Sequence, residues 1–238
     1  MERPEGIEAR ARLLEPGDPG GRVVTGAGPP RSALSGYPAN LVVAGRACLV
    51  VGGGRIAARK VAGLLDQGAL VTVVAPEAGD AVRTLADEGR LDWVARPFEL
   101  ADLDGMWLAV TATDDPAVNR AVFEAGEARR VWVNSADDPC NCSLTLMSVV
   151  RRGDIVVAIG TNGRSPALSA YLAERVRDDV GPEYESLLEL LAEARGELQS
   201  AGRATEGADW RAALDSGILD LIRAGRVSEA RELLRSCL

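Results

Sequence analysis

The chain has 238 residues, with 27 basic and 35 acidic side chains and no histidine. That length allows one or two domains with a sizeable core, and 47% hydrophobic with 26% charged residues describes an ordinary soluble globular protein. The missing histidine excludes a Ser-His-Asp triad, a Cys-His pair and a histidine-ligated zinc, and the net charge of −8 argues against a nucleic-acid binder held by phosphate neutralisation.

Acid–base work is left to carboxylates, tyrosine, cysteine or Lys60, the only lysine. The acidity is uneven. Residues 178–238 carry a net −6 and the first 36 residues balance, so residues 37–177 hold only −2 and leave room for a basic pocket. Four cysteines (Cys48, Cys140, Cys142, Cys237) are too few for a disulfide framework, and a reduced cytoplasm is the default. No apolar run has transmembrane length, and the N-terminus has no signal-peptide core. No membrane partner is expected.

Seven glycines and five prolines fill one third of residues 1–36, which read as a flexible extension. Organised sequence starts near Tyr37. ACLVVGGG (47–54) predicts a buried parallel strand ending in glycines, and RIAARKVAGLLDQG (55–68) a helix. ALVTVVAP (69–76), LDWVA (91–95), MWLAVTAT (106–113) and VWVNSA (131–136) predict further strands. Residues 77–89 and 115–130 predict the intervening helices. The alternation implies βαβ units and a Rossmann-like, doubly wound parallel sheet of the α/β class. After Pro139, SLTLMSVV (143–150) and DIVVAIGT (154–161) predict two strands joined by RRG. Helices follow over 165–179 and 182–198, with a last helical portion through Leu214, Ile218, Leu221, Ile222, Leu233 and Leu234. The domain reading is an extension (1–36), an NAD-binding Rossmann domain (37–141), a small dimerisation and substrate segment (142–178) and a C-terminal helical domain (179–238).

Three stretches carry chemistry. Gly52, Gly53, Gly54, Arg55 and Ile56 open a G-x-G-x-x-A motif between strand and helix, where glycines let a pyrophosphate approach the helix N-terminus. The usual acid closing the second strand is absent; Glu77 lies slightly later, beside Pro76. No arginine lies at 75–82 to favour a 2′-phosphate, so NAD is preferred over NADP. Thr113, ending the fourth strand, joins the cofactor candidates. Asn134-Ser135-Ala136-Asp137-Asp138-Pro139 follows the fifth strand, where Asp137 suits proton transfer and an Asx-turn is the plainer reading. Thr161, Asn162, Gly163, Arg164 and Ser165 form a tight loop before a helix, suited either to an anion or to simple N-capping. Arg151 and Arg152 are expected to add to its charge. Cys140 and Cys142 read as incidental thiols, with no metal site.

The segments GYPANLVVAGRACLVVGGGRIAARKVAGLLDQGALVTVVAP, WLAVTATDDPAVNRAV, VNSADDP and GDIVVAIGTNGRSPALSAYLAERV, in this order, resemble the siroheme-synthase N-terminal family over about residues 37–180. The resemblance implies a precorrin-2 dehydrogenase, in some members also a sirohydrochlorin ferrochelatase taking ferrous ion. It implies NAD as cofactor, a tetrapyrrole substrate and a homodimer with its active sites near the interface. It places the essential aspartate on Asp137 and nucleotide contacts on the Gly52–Ile56 turn, Pro76 and Glu77. Substrate contacts are expected at Asn134, Arg151, Arg152, Thr161, Asn162, Gly163, Arg164 and Ser165. Where members often carry an aromatic residue and a proline, this chain has Leu144 and Met147. The competing readings are a non-catalytic NAD-sensing Rossmann module and a dehydrogenase of another small anionic substrate.

Overall fold

Cys48, Leu49, Val50 and Val51 are apolar in succession because both faces of their strand are covered. The computed structural model describes residues 36–238. The predicted N-terminal extension lies almost wholly outside the described residues. Strand β1 (Ala47–Val51) is the centre of a five-stranded parallel sheet with β2 (Leu70–Val74), β3 (Asp92–Val94), β4 (Leu108–Thr111) and β5 (Trp132–Ser135), in the order β3-β2-β1-β4-β5. Alternate residues sort to opposite faces. Cys48 and Val50 join Val71, Val73 and Val110 under helices α1 (Arg55–Leu65) and α2 (Asp80–Asp87). Leu49 and Val51 join Val74, Ala109 and Val133 against α3 (Pro116–Arg129). Gly126 lets α3 sit close: a Cβ there would lie 2.4 Å from Val133 Cγ2.

The doubly wound sheet expected from the sequence is present, with shifts that have local causes. Helix α2 begins at Asp80 rather than 77 because the Glu77–Gly79 backbone is engaged against the glycine turn, with Gly79 N–H donating to Gly53 O at 2.9 Å. The strand expected over 143–150 begins only at Ser148. Its first residues close the edge of β5 instead: the N–H groups of Ser143 and Leu144 both donate to Val133 O at 2.9 Å, and Val133 N–H donates to Ser143 Oγ at 2.8 Å.

Strands β6 (Ser148–Arg152) and β7 (Ile155–Ile159) form an antiparallel hairpin that turns at Gly153. Helix α4 (Pro166–Asp179) packs on it and starts as its sequence predicts, with Ser165 Oγ accepting the Leu168 N–H at 3.1 Å and Pro166 at the first position. The C-terminal helices α5 (Glu183–Ser200), α6 (Trp210–Asp215), α7 (Ile218–Arg223) and α8 (Val227–Cys237) bury Leu187, Leu190, Ala213, Ile218, Ile222, Ala230 and Leu234 together. The last helical portion is three short helices because Gly217 (φ 88°) and Gly225 (φ 73°) take left-handed conformations between them.

One polar anchor fixes the connection from β3 to β4. Asp102 accepts two hydrogen bonds from the Arg96 guanidinium, at 2.9 and 2.5 Å, and one from Glu99 N–H at 2.8 Å. The Arg96 hydrogen bond holds the Asp102 carboxyl below the usual carboxylate range. A carboxyl lowered by folding stabilises the native state above its unfolded pKa, and that contribution disappears as pH falls through the folded value. Asp102→Ala should therefore cost about 1–2 kcal/mol at neutral pH, a modest figure because Arg96 is partly exposed. Denaturant titrations at a series of pH values should show the wild-type advantage fading below about pH 4.

Candidate functional site

Strand order reverses direction at β1 and β4, so a crevice opens at their carboxyl ends. Gly52 (φ 115°) turns the chain out of β1, with its N–H donating to Val74 O at 3.0 Å. A Cβ on Gly52 would lie 2.3 Å from Ala112 O, and one on Gly53 would lie 2.2 Å from Glu77 O. Both positions are therefore closed to any side chain. Gly54 differs: it precedes α1, caps it with no side chain, and a Cβ there would meet nothing within 4 Å. The first turn of α1 holds no acidic residue, so its unpaired N–H groups and positive dipole end are left for an anion. This bare cradle fits the diphosphate of a dinucleotide. Glu77 and Pro76 lie exposed beside Gly53.

A cleft of about 380 Å³ follows the crevice, lined by Ile56 of α1, by Thr113, Asp114 and Asn119 at the β4–α3 junction, and by Asp137 and Asp138 after β5. Thr113 Oγ1 donates to Asn119 Oδ1 at 3.2 Å, and Asn119 Nδ2 returns a bond to Thr113 O at 3.3 Å. Asp115 accepts the Ala117 N–H at 2.8 Å and caps α3. Asp137 is exposed with φ 58°, a left-handed backbone that aspartate tolerates at some cost. Asp138 is engaged by Asn141 Nδ2 at 2.6 Å.

Lys60 is half-buried one turn beyond Ile56. Burial, then Arg59, pushes its ammonium below the ordinary lysine value, while Asp137 and Cys142 pull it back. Burial raises the Cys142 thiol, which stays protonated. Lys60 stands out in the sequence as the only lysine, whereas Cys142 and Asn119 do not. Asn119 has only its six-residue spacing from Thr113, and Cys142 is masked by its C-x-C pairing with Cys140.

The remaining candidates separate from this cleft. Asn134 is buried and its Nδ2 donates to Leu144 O at 3.0 Å, so its amide serves the fold rather than the cleft lining. Thr161 Oγ1 accepts the Ser165 N–H at 3.1 Å, and Asn162 (φ 51°) and Gly163 (φ 72°) form the turn before α4. Arg164 is exposed. Arg151 and Arg152 do not add charge to that loop within one subunit, because they occupy the opposite end of the hairpin. Arg152 is held by the carbonyls of Val180 and Arg177, at the far end of the 14-residue α4, about 20 Å from its start.

Residues 39–148 match a protein family described as "Putative NAD(P)-binding". The siroheme synthase of Methylobacillus flagellatus is 36% identical over 197 residues, covering 81% of this chain and 42% of that protein. That of Nitrosococcus oceani is 34% identical over 203 residues, covering 84% and 43%. A solved structure described as SirC, precorrin-2 dehydrogenase, superposes with a TM-score of 0.66 at 27% identity, covering 84% of this chain and 99% of that one. The chain belongs to the siroheme-synthase N-terminal family. It spans about two fifths of the length of these siroheme synthases.

The family's glycine turn separates steric from ligand effects. Gly53→Ala must push the Glu77 backbone away, and a loss of about 2 kcal/mol or more is expected in denaturant titration. Gly54→Ala meets no neighbour, so stability should change by under about 1 kcal/mol. Its affinity for NAD should nevertheless fall at least about tenfold by calorimetry, because the added methyl group occupies the space a diphosphate would take.

Proposed function

We propose that this chain oxidises precorrin-2 to sirohydrochlorin with NAD as acceptor. The observation that carries the reading is the Asp137 carboxylate, exposed on a left-handed turn in the same cleft as the first turn of α1. With no histidine in the chain, the titratable side chains lining that cleft are Asp114, Asp137 and Asp138. Asp138 is tied to Asn141, and Asp114 is exposed on the β4 side of the cleft, just before the Asp115 cap of α3. Asp137, where the resemblance places the essential aspartate, is assigned to take the proton.

When bound, NAD supplies the two-electron acceptor for the hydride that leaves the tetrapyrrole. Asp137 takes the accompanying proton, and the α1 start with its three glycines holds the cofactor's diphosphate. Glu77, exposed beside the turn and with no arginine at 75–82, favours a free ribose and hence NAD over NADP. Arg164 and the Thr161–Ser165 turn are assigned to the substrate's carboxylates. Ferrous ion enters as a substrate of a second step, in which Asp137 would take pyrrole protons as iron is inserted.

A homodimer belongs to the same reading. The hairpin and α4 leave Val149, Val156, Leu168, Tyr171 and Leu172 exposed, and a two-stranded sheet is marginal without further cover. The cysteines carry thiols, as suits a reducing cytoplasm. Among the described residues, no helix is long and apolar enough to cross a membrane.

The test is an anaerobic assay with precorrin-2 and NAD, following sirohydrochlorin and NADH absorbance, with and without ferrous ion. Asparagine also tolerates φ near 58°, so Asp137→Asn should fold normally. Turnover should drop about 100-fold or more with NAD affinity unchanged. Retained turnover would remove Asp137 from the chemistry; no wild-type turnover despite NAD binding would favour a sensing module. Light scattering should give twice the chain mass for the wild type and one chain mass for Leu172→Asp.

A further inference from the structure

Asp137 sits on a loop whose two ends are joined by one sulfur atom. Cys142 is buried, and its Sγ accepts the Ser135 N–H at 3.2 Å. The same sulfur lies 3.4 Å from the carbonyls of Ser135 and Asp138, either of which takes its S–H, and Asn134 Nδ2 donates to it at 3.8 Å. The sulfur therefore touches the carboxyl end of β5, at Asn134 and Ser135, and the residue after Asp137. Ser135 N–H is an outward-facing donor at the end of an edge strand, with no further strand beside it among the described residues. Without the sulfur this buried donor would lose its partner, and that loss would favour opening the loop.

We infer that Cys142 is a positioning residue: its thiol clasps the 135–142 loop and thereby holds Asp137 in its left-handed conformation over the cleft. This rests on the reading of Asp137 as the proton-transfer group. A second bond pair, Ser135 Oγ to Asn141 O at 2.8 Å and Asn141 Nδ2 to Asp138, closes the outer side of the same loop. The sulfur closes the inner side, where solvent cannot replace it. Proton transfer needs the carboxylate within hydrogen-bond reach of its target, so a loop that samples other conformations loses turnover without losing the cofactor cradle on α1.

Two measurements on the full chain decide this: hydrogen–deuterium exchange, and steady-state oxidation of precorrin-2. In Cys142→Ala the peptide covering 135–143 should exchange at least tenfold faster, while peptides from β1 and β4 keep their wild-type rates. Its kcat should fall at least tenfold with KM for NAD unchanged. Cys142→Ser keeps a donor and an acceptor and should recover part of both. Wild-type exchange in the alanine variant overturns the clasp. Faster exchange with wild-type kcat overturns its role in positioning Asp137. If Cys142→Ala does not fold, Cys142→Val, which fills the sulfur's space with no donor or acceptor, decides, and wild-type exchange and kcat there overturn the proposal. Failure of the functional reading looks different: the wild type itself would then oxidise no precorrin-2, while the exchange result still judges the clasp.

Discussion

The close approach of three backbone segments at Gly52 and Gly53 fixes the geometry of everything above the sheet. The carbonyls of Ala112 and Glu77 come so near these glycines that no Cβ could be accommodated at either. The ends of β1, β2 and β4 are thereby locked into one surface. Two further bonds, Gly52 N–H to Val74 O and Gly79 N–H to Gly53 O, reinforce the same contact. Because the turn spends its close contacts on these neighbours, only Gly54 and the start of α1 remain open. The anion site is what is left over when three strand ends are packed as tightly as backbone allows.

A second constraint acts at the sheet edge. Among the described residues, strand β5 has β4 on one side and no strand on the other, so its outward groups need partners. Residues 142–144 supply them. Ser143 Oγ takes the Val133 N–H, Cys142 Sγ takes the Ser135 N–H, and the N–H groups of Ser143 and Leu144 reach Val133 O. Edge protection and placement of Asp137 are thus one arrangement: the chain that folds back to cover β5 must first loop out, and Asp137 is on that loop. Leu144 packs against the core cluster to which Ala57 and Val61 of α1 belong, so the returning chain and the helix that opens the anion site share one core.

Much of this was legible in the sequence where local rules and tertiary structure agree. The apolar runs at 47–51 and 70–74, the glycine turn, and the Ser165-Pro166 helix start depend on near neighbours and appear where the pattern puts them. What was not legible depends on distant partners. The apolar pattern over 143–147 suits a strand, yet Ser143 and Leu144 turn their N–H groups to β5. Asn134 has the chemistry of a substrate contact, but its direction is set by Leu144, ten residues away. Arg151 and Arg152 are close in sequence to the Thr161 loop, and the length of the hairpin keeps them apart. Cys142 gives no signal, because its role arises only when the loop closes.

Charge sets a last condition on how the proposed substrate can sit. The cleft is lined by Asp114, Asp137 and Asp138, while a tetrapyrrole of this class carries many carboxylates of its own. Those carboxylates cannot face the same wall without repulsion, so the macrocycle must present its pyrrole ring to Asp137 and direct its acidic arms outward. Arg55 and Arg59 are exposed on α1, and Lys60 is near enough to Asp137 for its ammonium to be stabilised by that carboxylate. Guanidinium groups can grip carboxylates in two places at once, which suits an outer ring of anchors around a proton-accepting centre. The acidic cleft wall and the proposed Arg164 anchor are then complementary: the first selects the ring, and the second its acidic periphery.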